Sequence, residues 1–242
     1  LSTLRLAVTG AADIPVELIR RMHDELPFSL IITGYGLTEA GTATGPDDDF
    51  ETIATTVGRV RPGLEIRVAG DDGTDLPVGD AGELLVRGYS VMRGYLDDPD
   101  ATAATIDADG WLHTGDLATL DERGCVRIVG RIKDMFIVGG FNAYPAEIEN
   151  LLLGHPAVAR AAVVGMPDAR MGEVGMAFVV LTPGASLAPD ELIAWSRDTM
   201  ANYKVPRAVE LVDELPVNAA GKVEKETLRA RAAARQAAER TT

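Results

Sequence analysis

Cysteine is nearly absent from this sequence, and its scarcity removes several function classes at once. The single thiol, Cys125, has no partner for an internal disulfide and cannot anchor a cysteine-rich zinc site. Histidine is sparse too. His23, His113 and His155 are scattered without metal-ligand spacing, so a metal held only by imidazole and thiolate is not expected. Long apolar runs are missing, and none approaches the roughly 18 residues that a membrane span needs. Positive charge is in deficit, with 23 Lys and Arg against 37 Asp and Glu and a formal net charge of −14. A nucleic-acid partner, which usually meets a basic face, is not expected from that balance. The low thiol count suits a reducing compartment, and a cytoplasmic location is expected. The opening residues, Leu1-Ser2-Thr3-Leu4-Arg5, lack both an initiator Met and a signal-peptide profile and read as a cut in a longer chain.

What remains has the balance of a globular protein, 46% hydrophobic and 25% charged over 242 residues, enough for one large domain or two ordinary ones. Three textures follow one another. Leu4–Val8 reads as a strand ending at Thr9-Gly10, and Asp13 offers an N-cap. Ile14, Leu18, Ile19, Met22 and Leu26 then recur at helical spacing before an apolar run over Ser29–Ile32. Strand, turn, helix and strand suggest the tail of a parallel α/β layer over residues 1–50. A parallel sheet needs both faces covered, so neighbours upstream of Leu1 are expected.

Residues 51–132 alternate short strands with turns, which points to a small antiparallel β barrel or sheet. The expected strands are Leu64–Val68, Glu83–Arg87, Leu117–Leu120 and Cys125–Val129, the last two forming a hairpin. One short helix opens at Asp98-Pro99. From residue 133 to 242 a separate α+β domain is expected. Its helices start at Pro145 and Asp190 and run again over Lys225–Arg240, with strands at Val158–Val164, Ala177–Leu181 and Val209–Val212. The fold class is therefore mixed α/β.

Several stretches could carry chemistry, and each has a plainer alternative. Tyr35-Gly36-Leu37-Thr38-Glu39 follows an apolar strand. Its glycine admits close backbone approach, and its hydroxyl and carboxylate suit phosphate and Mg²⁺; a tight turn capping a helix is the plainer reading. Trp111-Leu112-His113-Thr114-Gly115-Asp116 places a carboxylate after a glycine, where it could accept both hydroxyls of a ribose or be an ordinary turn Asp. Gly130-Arg131-Ile132-Lys133-Asp134 and Gly139-Gly140-Phe141-Asn142 sit at the change of texture, as a hinge and a ligand-side loop would, or as solvated surface loops. Asn218-Ala219-Ala220-Gly221-Lys222 aims a lysine outward from a glycine loop; most surface lysines are bystanders.

In order, spelling and spacing these stretches together closely resemble the adenylate-forming superfamily of acyl-CoA synthetases, carrier-protein adenylation domains and luciferases. The resemblance runs from Leu4 to about Arg229. It implies attack of a carboxylate on the α-phosphorus of ATP, giving acyl-AMP and pyrophosphate, then a swing of the C-terminal domain and thioester formation with CoA. By the same resemblance Gly10, Ala11 and Ala12 line the adenine and acyl pocket, and Tyr35 and Gly36 flank the adenine. Thr38 contacts the α-phosphate and Glu39 helps hold Mg²⁺. Asp116 binds the ribose, and Arg131 makes a second ribose or phosphate contact. Lys133 marks the hinge, Gly139, Gly140 and Phe141 meet CoA, and Lys222 bridges the acyl carboxylate and the phosphate.

The family's Ser/Thr/Gly-rich phosphate loop is not found between Leu1 and Tyr35, so ATP turnover by this chain alone is not expected. The parent activity implied is that of an acyl-CoA ligase. Among such ligases the spelling is most similar to actinobacterial enzymes acting on steroid-derived indane-propionate, with fatty acids next. An adenylation domain loading a carrier protein and a folded fragment without catalysis are the rival readings. A homodimer stays open.

Overall fold

A computed structural model describes residues 3–10, 16–43, 48–219 and 221–239. The expected N-cap Asp13, Ile14 and the pocket residues Ala11 and Ala12 lie outside the described residues, as does Ala220. The chain divides into two compact units, Leu1–Ile132 and Lys133–Thr242. Among the described residues no helix is long and apolar enough to cross a membrane.

The first unit opens with strand β1 (Leu6–Gly10), helix α1 (Val16–Glu25) and strand β2 (Leu30–Gly36). β1 and β2 pair in parallel from Leu6 opposite Leu30 to Gly10 opposite Gly34. The strand β2 runs on through Gly34-Tyr35-Gly36, where the sequence suggests a turn. On the neighbouring strand Gly10 is required, because a Cβ there would stand 2.5 Å from the Gly34 carbonyl oxygen. Strand β3 (Gly41–Ala43) folds back antiparallel on β2, so the segment after Tyr35 is a hairpin turn and caps no helix. A second difference is helix α2 (Phe50–Thr55), capped by the Asp49 carboxylate on the Thr52 amide at 2.8 Å. Ile19, Ile31, Ile53 and Ala54 pack α1 and α2 on one face of this sheet, while Leu6 and Val8 on β1 are exposed.

A four-stranded antiparallel sheet follows, in the order β4 (Leu64–Ala69), β5 (Gly82–Gly88), β6 (Leu112–Leu120), β7 (Val126–Arg131). It is an open sheet, not a barrel. Helix α3 (Pro99–Thr105) is set by Asp98, whose carboxylate accepts the Ala101 amide at 2.9 Å, with Pro in the first turn. Val68, Leu84, Val86, Leu112, Ala118 and Val126 make the core, and Tyr35, Leu37 and Ala40 pack against it. That packing brings the β2–β3 turn to this sheet.

The second unit holds strands β8 (Phe136–Val138), β9 (Phe141–Ala143), β10 (Val158–Asp168), β11 (Gly172–Leu181) and β12 (Ala208–Leu211). Its helices are α4 (Pro145–Leu153), α5 (Pro189–Thr199) and α6 (Lys225–Glu239). β11 is central: β10 and β8 pair with it antiparallel, and β12 in parallel. β8 and β9 form a hairpin that the sequence reads as a loop. Its two-residue tip, Gly139-Gly140, has φ of 57° and 90°, the doubly left-handed turn that matches strand twist and that only glycine adopts cheaply. The core joins Phe136, Ile148, Leu152, Met176, Phe178, Leu192 and Leu228, all nearly inaccessible. Leu152→Ala removes a fully buried side chain and is expected to cost about 2–5 kcal/mol, read by denaturant unfolding of the full-length protein.

Candidate functional site

Asp116 owes its position to an interruption in β6. Leu117 pairs with Glu83 and His113 with Leu85, so Thr114, Gly115 and Asp116 stand opposite Leu84 alone. This bulge keeps the strand running where the sequence suggests a plain turn. Gly115 takes φ of 67°, and neighbouring side chains hold the excess chain. The Thr114 hydroxyl donates to the Leu84 carbonyl at 2.7 Å and accepts the Asp116 amide at 3.1 Å. The Glu83 carboxylate accepts the Gly115 amide at 3.0 Å and pairs with His113 Nδ1 at 2.9 Å. Gly115→Ala meets no steric obstacle but must adopt a left-handed backbone. A loss of about 1–2 kcal/mol is expected, checked by the denaturant midpoint.

Two donors converge on the carboxylate of Asp116, whose side chain is only 12% exposed. Arg131 lies directly opposite on β7, and its Nε reaches Oδ1 at 2.7 Å. The Tyr35 hydroxyl, arriving from β2, donates to Oδ2 at 2.5 Å. Burial, followed by the bond to the Asp116 anion, pushes the Tyr35 hydroxyl far above its usual range, which keeps it a neutral donor. A carboxylate offers about four lone-pair directions. Asp116 thus keeps acceptor capacity for a further pair of hydroxyls, and the residues present fit a ribose.

The turn after Tyr35 is closed by the Leu37 amide on the Ala40 carbonyl at 2.8 Å. Thr38 is exposed there, as is Gly36, and Glu39 is half-buried. Glu39 is tied from both ends: the Met92 amide donates to its carbonyl and the Tyr95 hydroxyl to Oε1, each at 2.8 Å. Among the described residues no group of three or more His, Cys, Asp or Glu could hold a metal by itself. Mg²⁺ commonly takes one or two carboxylates and completes its shell with water and phosphate oxygens. Glu39 fits that partial role and no larger one.

The second unit carries the other expected residues. Lys133 stands at its start, within a 3₁₀ turn over Ile132–Asp134. Gly139 and Gly140 form the hairpin tip, and Phe141 is 60% exposed while stacked on Tyr203, their ring centroids 5.0 Å apart. Beside that pair lies a hollow of about 200 Å³ lined by Met171, Asn202, Tyr203 and Arg207 among others. Lys222 is exposed at the end of a tight loop. Asn218 Oδ1 accepts the Lys222 amide at 3.0 Å, the Asn218 amide donates to the Lys222 carbonyl at 2.8 Å, and Val217 bridges Val223.

The sequence reading omits four residues that the geometry brings forward: Tyr95, Glu83, Tyr203 and Arg229. Only contacts distant in sequence reveal them, such as the 56 residues between Tyr95 and Glu39. Gly94-Tyr95 next to the expected Asp98-Pro99 helix start was the nearest local sign of a constrained tyrosine.

The AMP-binding enzyme family model matches residues 1–96, and the AMP-binding enzyme C-terminal domain model matches residues 147–222. This chain belongs to the adenylate-forming, AMP-binding enzyme family. A relative from Rhodococcus jostii, named as a methyl-dioxo-octahydroindenyl-propanoyl:CoA ligase, is 56% identical over 95% of this chain and 43% of its own length. ATP-bound MatB from Rhodopseudomonas palustris matches with a TM-score of 0.87 and 37% identity, over 93% of this chain and 45% of that one. The amide bond synthetase McbA from Marinactinospora thermotolerans matches with a TM-score of 0.87 and 39% identity, over 95% and 48%. The chain therefore spans less than half the length of these relatives.

Proposed function

We propose that the protein is an AMP-forming acid–thiol ligase. A carboxylate oxygen of the substrate bonds to the α-phosphorus of ATP and pyrophosphate leaves; the thiol sulfur of CoA then bonds to the acyl carbon and AMP leaves. The observation that carries this reading is the Tyr35–Asp116–Arg131 cluster. It sets a buried, doubly braced carboxylate beside an aromatic ring and a guanidinium, the groups a nucleoside monophosphate calls for. In this reading Asp116 accepts the ribose hydroxyls, and Tyr35, with Gly36 and Gly10 nearby, flanks the adenine. Arg131 contacts the ribose or phosphate, Thr38 the α-phosphate, and Glu39 contributes one oxygen to Mg²⁺.

Lys222 offsets the repulsion between the incoming carboxylate and the phosphate, a cation aimed where charge gathers. Lys133 serves as the hinge between the units, which we take as a mobile C-terminal domain (133–242) and the end of a larger domain (1–132). Withdrawal of Lys222 after the first step would separate the two chemistries. Gly139, Gly140 and Phe141 face CoA. The stacked Phe141–Tyr203 pair, with Arg207 on the same hollow, supplies apolar faces and a cation suited to a phosphorylated thiol carrier.

The acyl group we assign is a compact bicyclic propionate, because the relative named for that acid is 56% identical while a putative acyl-CoA synthetase from Bacillus subtilis is 44% identical. Acid-dependent ATP–pyrophosphate exchange by the full-length protein, followed by a choice of CoA, carrier protein or amine, tests the proposal. Exchange followed by CoA thioester supports it. Exchange with product only on a carrier protein or an amine transfers the acceptor, and absence of exchange removes adenylation.

A further inference from the structure

The stretch around Lys133 is held from both ends by ion pairs that lie within separate units. On the near side Arg131 is the last residue of β7, opposite Asp116 in the ladder and bound to its carboxylate at 2.7 Å. Backbone up to Arg131 therefore moves with the first unit. On the far side Asp134 is bound by Arg229 of α6, with Nη2 to Oδ1 at 2.7 Å, and the same nitrogen donates to the Lys133 carbonyl at 3.3 Å. Arg229 Nη1 is itself oriented by Glu226 Oε1 at 2.5 Å, and Leu228, fully buried in the core, anchors that turn of α6. The peptide plane between Lys133 and Asp134 thus belongs to the second unit. A peptide plane does not flex, so the soft torsions between the two anchors are ψ of Arg131 and φ and ψ of Ile132 and Lys133.

We propose that Arg229 is a positioning residue that fixes the second-unit end of the pivot and confines domain motion to the backbone between Arg131 and Asp134. This rests on the reading of Lys133 as the hinge. In this proposal so short a pivot has few accessible orientations, which concentrates the population in the two productive poses. Releasing Asp134 lengthens the pivot past residue 134 and spreads the population over unproductive orientations. The apparent rate of each half-reaction falls by the fraction lost. Arg229 touches no substrate in this scheme; it acts through the carbonyl of Lys133 and the carboxylate of Asp134.

The test uses the full-length protein with spin labels on Glu122→Cys and Arg197→Cys, exposed positions in the first and second unit. Asp134→Ala, Arg229→Ala and Arg229→Lys are compared for label-to-label distance distribution, ATP–pyrophosphate exchange and thioester formation from supplied acyl-AMP. We expect broader distributions for Asp134→Ala and Arg229→Ala, with both half-reactions slowed about threefold to tenfold in parallel. Arg229→Lys should recover part of the narrow distribution. If Arg229→Ala unfolds, Asp134→Ala decides, since it removes the acceptor of the Arg229 bond and leaves α6 and the arginine in place. A folded Asp134→Ala protein with an unchanged distribution and both rates within twofold overturns the proposal. A wild type with no exchange activity would instead count against the ligase reading, and the distance distributions would still judge Arg229.

Discussion

Lys222→Ala in the full-length protein is expected to slow acid-dependent ATP–pyrophosphate exchange by about 10²–10³-fold, the usual cost of removing one preorganised charge from a transition state. The reason is electrostatic. In the proposed first step a carboxylate and a phosphate approach each other, and a cation between them is worth most at closest approach. The loop supports such a role: its base is pinned by the Val217–Val223 bridge and by Asn218, and Gly221 takes φ of 76° so that Lys222 leaves the tip exposed. Thioester formation from supplied acyl-AMP involves no such meeting of anions and should stay within about threefold of wild type, below the tenfold that about 1.4 kcal/mol would give. Equal losses in both half-reactions would take Lys222 out of the bridging role and leave it a structural or general binding residue.

Asp116→Asn carries the second large effect. The substitution preserves shape but leaves one acceptor oxygen where two are in use, by Tyr35 and Arg131. Hydrogen bonds to a charged partner are worth about 1.5–3 kcal/mol each. AMP and ATP should therefore bind about 10- to 100-fold more weakly, as read by calorimetric titration of the full-length protein. The loss of stability should be smaller, because Arg131 is 49% exposed and water screens its pairing. Tyr35→Phe removes a single donor and should weaken binding less. Unchanged nucleotide affinity in Asp116→Asn would show that the ribose binds elsewhere.

The sequence exposes those elements whose signals are local. Helix α4 is readable to the residue because Pro145 opens it and Ile148 and Leu152 recur at four-residue spacing on its buried face. The cap-and-proline pair Asp98-Pro99 marks α3, and the turn Asp121–Gly124 marks the β6–β7 hairpin. Elements defined by distant partners stay hidden. Thr114-Gly115-Asp116 spells a turn whether or not the strand continues, and only Leu84 and Glu83, some thirty residues away, turn it into a bulge. Glycines in β2 look like an end until Gly10 is seen pressed against Gly34. Helix α2 is six residues with two threonines and no periodic face, so its Asp49 cap is its only sign.

The candidate site divides along the same line. Tyr35, Asp116, Arg131 and Lys222 are visible through the spelling of their motifs, yet their contacts are not. Nothing local couples Tyr35 to Asp116 across 81 residues, nor Arg229 to Asp134 across 95. Those pairings depend on which surfaces the cores bury. Tyr35 meets Asp116 because Leu37 and Ala40 pack on the β4–β7 sheet, and Arg229 meets Asp134 because Leu228 is seated in the core.

Adenylation followed by transfer to CoA can be read in one single-turnover product analysis. Full-length protein is mixed with ATP, Mg²⁺ and a bicyclic propionate, without CoA, and the nucleotide products are separated. Stoichiometric pyrophosphate is expected with acyl-AMP retained on the protein, and release of AMP only when CoA is added. Formation of ADP and phosphate, or of AMP without an acyl adduct, would contradict an AMP-forming ligation.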